Sequence, residues 1–95
     1  MKPRMADVLT AVAQCFRMEP GELRERTNRP EVVRPRHVAI WLMHRRGGFS
    51  LPQIGAFFRL HHTTVWHGVA KIDAMIEDDE ISHVKQVVDK LWVKG

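Results

Sequence analysis

Ninety-five residues, 44% of them hydrophobic and 27% charged, suit one globular domain spanning 1–95, with a single core, one working surface and little bulk for a deep enzyme pocket. The lone Cys15, set among Val12 and Phe16, closes no intrachain disulfide and reads as a small buried residue. No run approaches the ~18 apolar residues of a bilayer span, and the first seven residues lack a signal peptide's apolar stretch, so a cytoplasmic protein is expected.

The net charge of +4 is unevenly spread along the chain. Between positions 26 and 71 stand Arg26, Arg29, Arg34, Arg36, Arg45, Arg46, Arg59 and Lys71 against Glu31 alone. From 72 to the end, Lys85, Lys90 and Lys94 face Asp73, Glu77, Asp78, Asp79, Glu80 and Asp89. That polarity suits a polyanionic partner on one side, though fifteen basic residues also cluster by chance.

In chain order, Val8, Val12, Cys15 and Phe16 recur at helical spacing and predict a first helix over about Met5–Met18, stopped by Pro20 and Gly21. A short helical turn over Gly21–Arg26 follows, then a loop over Thr27–Glu31. A second main helix is expected to start near Pro35, carry Val38, Trp41 and Leu42 inward, and end at Gly47-Gly48. Ser50 and Gln53 have the spacing of a capping box and open a third, short helix ending near Phe58, with Ile54, Phe57 and Phe58 buried. A fourth helix begins near His62 or Thr63, its core edge formed by Val65, Val69, Ile72 and Ile76. The last helix covers about Ile81–Val93, with Val84, Val87, Val88 and Leu91 as its apolar side. No alternating strand pattern of useful length occurs, so the fold is expected to be all-α.

Helices three and four, joined by about three residues, form a helix-turn-helix, in which the second helix enters the major groove of duplex DNA. With Val65, Val69 and Ile72 inward, Thr63, Thr64, His67 and Lys71 lie outward, and 63, 67 and 71 form one row. Threonine offers a hydroxyl and a methyl to base edges, His61, His62 and His67 offer ring nitrogens, and Lys71 suits a phosphate. The helix N-terminus at Thr63 and Thr64 also attracts an anion. Arg29, Arg34 and Arg36 precede or open the second helix and can reach the backbone or a narrow minor groove. The same pattern also fits a plain αα-hairpin in a bundle, or a module that binds a protein partner without reading DNA. His61, His62 and His67 lack the i, i+4 pairing with a nearby carboxylate that zinc sites on helices favour, and His37, His44 and His83 read as solvated. Trp41, Trp66 and Trp92 read as packing residues. Without a G-x-x-x-x-G-K-[ST] loop, and with Asp78-Asp79-Glu80 reading as a solvated helix end, neither catalysis nor a cofactor is expected.

Arg34-Pro35-Arg36-His37, Ser50-Leu51-Pro52-Gln53-Ile54-Gly55, Phe58, and His62-Thr63-Thr64-Val65-Trp66-His67-Gly68 with Lys71-Ile72 resemble the C-terminal DNA-binding domain of the bacterial replication initiator DnaA. Upstream, Val12–Phe16 and Glu22-Leu23 match its first helix and the start of its basic loop, so the resemblance covers nearly the whole chain. It implies a compact multi-helix domain with a central helix-turn-helix, of the Trp-repressor-like kind, that binds a short asymmetric box in double-stranded DNA as a monomer, a dimer being the alternative. On that reading His61, His62, Thr63, Thr64, His67 and Arg29 meet bases or grooves, while Arg26, Arg34, Arg36, Arg45, Pro52, Arg59 and Lys71 meet phosphates. The family's minor-groove arginine falls about at Asn28, so Arg29 or Arg26 has to substitute.

The family's turn reads F-G-G-R-D-H, whereas Phe58-Arg59-Leu60-His61-His62 is one residue shorter and lacks glycine and aspartate. A preference for a different DNA sequence is therefore expected, a lost base contact being worth about 1–3 kcal/mol. The initiator's ATP-binding module has no counterpart in these residues, so the expected role is a nucleoid-associated regulator of replication initiation or transcription that binds no nucleotide.

Overall fold

The computed structural model describes residues 3–75 and 77–93, with no side-chain description for 91–93. The elements described are helices and turns, in the order α1 (Met5–Cys15), a 3₁₀ turn (Pro20–Arg24), α2 (Pro30–Trp41) running into a π turn (Leu42–Arg46), α3 (Leu51–Phe58), α4 (His62–Asp73) and α5 (Asp79–Val93). Among the described residues the fold is all-α, as composition and periodicity predict.

Each helix is bounded by local chemistry. Arg4 N–H donates to the Asp7 carboxylate at 3.0 Å to open α1. At its other end Arg17 turns left-handed (φ 57°) and Met18 N–H donates back to the Ala13 carbonyl at 2.9 Å, closing the helix three residues before the expected end. The Ser50–Gln53 box forms as its spacing predicts: Gln53 N–H donates to Ser50 Oγ at 3.2 Å, and Ser50 N–H to Gln53 Oε1 at 2.8 Å.

The second helix departs from expectation. It starts at Pro30, not near Pro35, because Pro30 already supplies a first-turn proline while Pro35 lies buried in the second turn. There Pro35 removes one backbone hydrogen bond, a disruption the surrounding packing absorbs. At its C-terminal end the helix widens: Gly47 N–H donates to the Leu42 carbonyl, five residues back, at 2.9 Å. A Cβ on Gly47 would lie 2.7 Å from the Met43 carbonyl oxygen, so the wide turn requires glycine there.

One core joins all five helices. Val8, Leu9, Val12 and Ala13 of α1 meet Val38, Ala39, Ile40 and Trp41 of α2, Ile54 and Phe58 of α3, and Ile81, Val84 and Val88 of α5. On α4, Val65, Val69 and Ile72 are buried, Gly68 completing the seam. Ile76, expected to extend that seam, lies outside the described residues, as does the side chain of Leu91. Helix α4 packs chiefly on α2, where the His37 ring fills the place a side chain at Gly68 would occupy; a Cβ there would lie 2.9 Å from His37 Cδ2.

Candidate nucleic-acid interface

The turn between α3 and α4 sets the angle of the outward helix. Arg59 adopts a left-handed conformation (φ 59°), and Leu60 N–H donates to the Gly55 carbonyl at 2.8 Å. The Leu60 carbonyl oxygen would lie 2.5 Å from a Cβ at Gly55, so the absence of a side chain lets the turn fold down onto α3. His61 then caps α4 by accepting from Thr63 N–H through Nδ1 at 3.2 Å. Its ring stacks on His62 with centroids 4.3 Å apart.

Because the seam of Val65, Gly68, Val69 and Ile72 faces inward, His61, His62, Thr63, Thr64, Trp66, His67 and Lys71 are all exposed. They present an outer face that begins with His61–Thr64 at the positive end of the α4 dipole and runs to Lys71 in the last turn. Pro52 is exposed in the first turn of α3. On the other side lies the loop between the 3₁₀ turn and α2, carrying exposed Arg26, Asn28 and Arg29, with Arg29 3.9 Å from Glu31. Arg26, Asn28, Arg59 and Leu60 line a shallow cleft of about 370 Å³ between this loop and the helix-turn-helix turn. A second cleft of about 310 Å³, lined by Asn28, Pro30, His37 and Lys71 among others, runs between the loop and the far end of α4.

Arg36 corrects the sequence reading. Its side chain is buried, 8% exposed, and its guanidinium donates to the Leu23 carbonyl at 2.8 Å, to Thr27 at 3.2 Å and to Glu25. Arg36 therefore does not reach a phosphate; it fixes the backbone of the loop that presents Arg26 and Arg29. Arg34 is also committed elsewhere, lying 3.3 Å from Asp78 and 3.0 Å from Glu80, where it ties α2 to the start of α5. Arg45 remains at the edge of the outer face but pairs with Asp73 at 2.7 Å, and Arg46 with Asp89 at 2.7 Å. The charge polarity along the sequence is thus partly cancelled in space, since three basic-segment arginines pair with acids of the C-terminal segment. Among the described residues of the basic segment, exposed Arg26, Arg59 and Lys71 lie in no ion pair, Arg26 and Arg59 lining the cleft at the helix-turn-helix turn and Lys71 the cleft at the far end of α4.

Two histidines expected to be solvated are not. His37 is half-buried, and desolvation, with Lys71 and Arg36 nearby, holds its pKa below the ordinary 6.5. His44 Nδ1 donates to the Phe49 carbonyl at 2.9 Å, closing the loop before α3. Cys15 is half-buried rather than sealed, and burial raises its thiol pKa. Trp41 is buried as expected, but Trp66 is 43% exposed and was missed as a member of the outer face. Its position three residues after Thr63 and four after His62 is the signal that places it there. Among the described residues no cluster of three His, Cys, Asp or Glu could hold a metal ion, and no helix is long and apolar enough to cross a membrane.

The family model described as the bacterial dnaA protein helix-turn-helix matches residues 5–72, from α1 to the last buried residue of α4. Over 79 residues the chain is 40% identical to the chromosomal replication initiator protein DnaA of Deinococcus deserti, covering 83% of this chain and 17% of that protein. It is 43% identical over 76 residues to the same-named protein of Thermomicrobium roseum, covering 77% and 16%, and 39% identical over 82 residues to that of Deinococcus radiodurans, covering 85% and 18%. The chain thus spans about a sixth of the length of these relatives. By sequence, it belongs to the bacterial DnaA helix-turn-helix family.

Proposed function

We propose that this chain binds double-stranded DNA sequence-specifically, with α4 in the major groove, and thereby regulates replication initiation or transcription. The carrying observation is the exposure of His62, Thr63, Thr64 and His67 over a sealed Val65/Val69/Ile72 seam, which leaves base-reading chemistry on a rigid, outward helix. On this reading His61 contributes the α4 cap and a ring at the groove edge, and Lys71, Arg59, Arg45 and Pro52 border the phosphate backbone. The loop arginines, Arg29 with Arg26, enter the adjacent minor groove. The relatives' name, chromosomal replication initiator protein, supports the replication setting. A monomer in the cytoplasm, associated with the nucleoid and acting without a nucleotide or other cofactor, completes the proposal.

Selection from a random duplex library tests it. A single enriched asymmetric motif is the expected result, with affinity falling steeply as salt rises, in proportion to the phosphates neutralised. Thr63→Ala and His62→Ala should flatten the motif, whereas Arg59→Ala should weaken binding to every sequence alike. No enrichment at low salt, with a protein partner retained instead, would replace DNA reading by a protein-interaction role.

A further inference from the structure

The outer face of α4 holds one large apolar side chain that the core does not use. Trp66 is 43% exposed, while the seam beneath α4 is already filled by Val65, Gly68, Val69 and Ile72. Its ring is held in place: the Arg45 guanidinium lies 5.7 Å from the indole centroid, and Arg45 is itself anchored on Asp73 at 2.7 Å. Asp73 in turn accepts from buried Trp41 Nε1 at 2.6 Å. A chain of contacts thus runs from the core to an exposed indole.

The surroundings discriminate between possible partners. Among the described residues Trp66 is flanked by exposed His62, Thr63, His67 and Ala70, a polar setting and not the contiguous apolar patch that a protein interface needs. Trp66 lies one turn after His62 and Thr63 on the exposed side of α4, and so borders the part of the helix that meets base edges when such a helix is bound in a groove. Ala70, one turn further on, is exposed and presents only a methyl group. An apolar surface at that place matches the one apolar group in the major groove, the C5 methyl of thymine.

We propose that Trp66 is a specificity-determining residue, its indole packing against the 5-methyl group of one thymine beside a phosphate that meets Arg45. The inference rests on the duplex-binding reading above and adds to it a base identity and the residue that reads it.

The test uses the duplex motif enriched by the whole chain, with each thymidine replaced in turn by deoxyuridine, which removes only the methyl group. Wild type, Trp66→Ala and Trp66→Gln are titrated on each duplex by fluorescence anisotropy, after thermal melting of each protein. At one position, loss of the methyl should weaken wild type by about threefold to tenfold and leave both variants unaffected. The variants should bind the unmodified duplex more weakly by a similar factor, so that the two losses do not add. Deoxyuridine effects of equal size in all three proteins, or variants that bind as wild type does, would overturn the assignment to Trp66 while leaving duplex binding intact. A uniform loss in the variants, the same on every duplex, would also overturn it, by making the indole a backbone contact. Failure of wild type to enrich any sequence would instead remove the reading on which the inference depends.

Discussion

Trp41 Nε1 donates a 2.6 Å hydrogen bond to Asp73 Oδ1, joining the end of α2 to the end of α4 across 32 positions of sequence. A carboxylate at a helix C-terminus opposes the helix dipole, so Asp73 owes its place to its partners, the Trp41 indole on one oxygen and Arg45 on the other. These two hydrogen bonds, Arg45 first, hold the Asp73 carboxyl below its ordinary value of 3.8. Asp73→Ala leaves the N–H of a 94%-hidden tryptophan without its acceptor, and should destabilise the fold by about 1–3 kcal/mol. In a domain of this size that lowers Tm by roughly 4–8 °C per kcal/mol. Asp73→Asn, which keeps an acceptor for the indole, should lose less. Calorimetry of the two variants checks the order; equal losses would assign the effect to the charge and not to the indole.

His37 makes stability depend on pH in the mildly acidic range. Its folded pKa lies below the unfolded 6.5, chiefly because burial disfavours the charged ring. A group of this kind binds fewer protons folded than unfolded between those two values, so its contribution is fully present above about pH 6.5 and declines as pH falls toward the folded pKa. Urea midpoints measured from pH 7.5 to 5 should fall with acidity in wild type and change less in His37→Gln. A variant with the wild-type slope would move the pH dependence to another group.

Gly55 and Gly68 both lie inside helices, where alanine ordinarily gains about 1 kcal/mol over glycine. Their surroundings set them apart. A Cβ at Gly55 meets backbone, the Leu60 carbonyl oxygen at 2.5 Å, which cannot move without opening the turn. A Cβ at Gly68 meets the His37 ring at 2.9 Å, and a side chain can shift. Gly55→Ala should therefore be net destabilising, by about 1–3 kcal/mol. It should also re-aim α4 and lower DNA selectivity. Gly68→Ala should lie within about 1 kcal/mol of wild type. Thermal melts followed by duplex titration check both, and a Gly55→Ala as stable as Gly68→Ala would contradict the close turn.

What could be read from the sequence was local in origin. The capping box at Ser50 and Gln53, the α4 seam and the outward Thr63 row depend on residues three or four apart, and the structure has them as spacing predicts. What could not be read depends on partners far along the chain. Arg36 looks like any basic residue until the carbonyls of Leu23, Glu25 and Thr27 surround it, and Arg34, Arg45 and Arg46 look free until α5 and the end of α4 bring acids to them. The start of α2 was misplaced for a different reason, since Pro30 and Pro35 satisfy the same local rule and only tertiary packing admits the second inside a helix.

That distinction among arginines can be measured directly. Arg36→Ala removes charged donors from three carbonyls beneath the loop, and hydrogen bonds to charged groups contribute about 1.5–3 kcal/mol each, so a clear loss of Tm is expected. Its effect on DNA should be concentrated in the minor-groove positions, because Arg26 and Arg29 stand on the loop that Arg36 holds. Arg59→Ala, at an exposed turn, should leave Tm nearly unchanged, weaken binding to all duplexes and reduce the slope of log affinity against log salt by about one. Arg36→Lys should fail to restore stability, since an ammonium cannot span three carbonyls as a planar guanidinium does. An Arg36→Ala variant with wild-type Tm and a reduced salt slope would return this residue to the phosphate backbone.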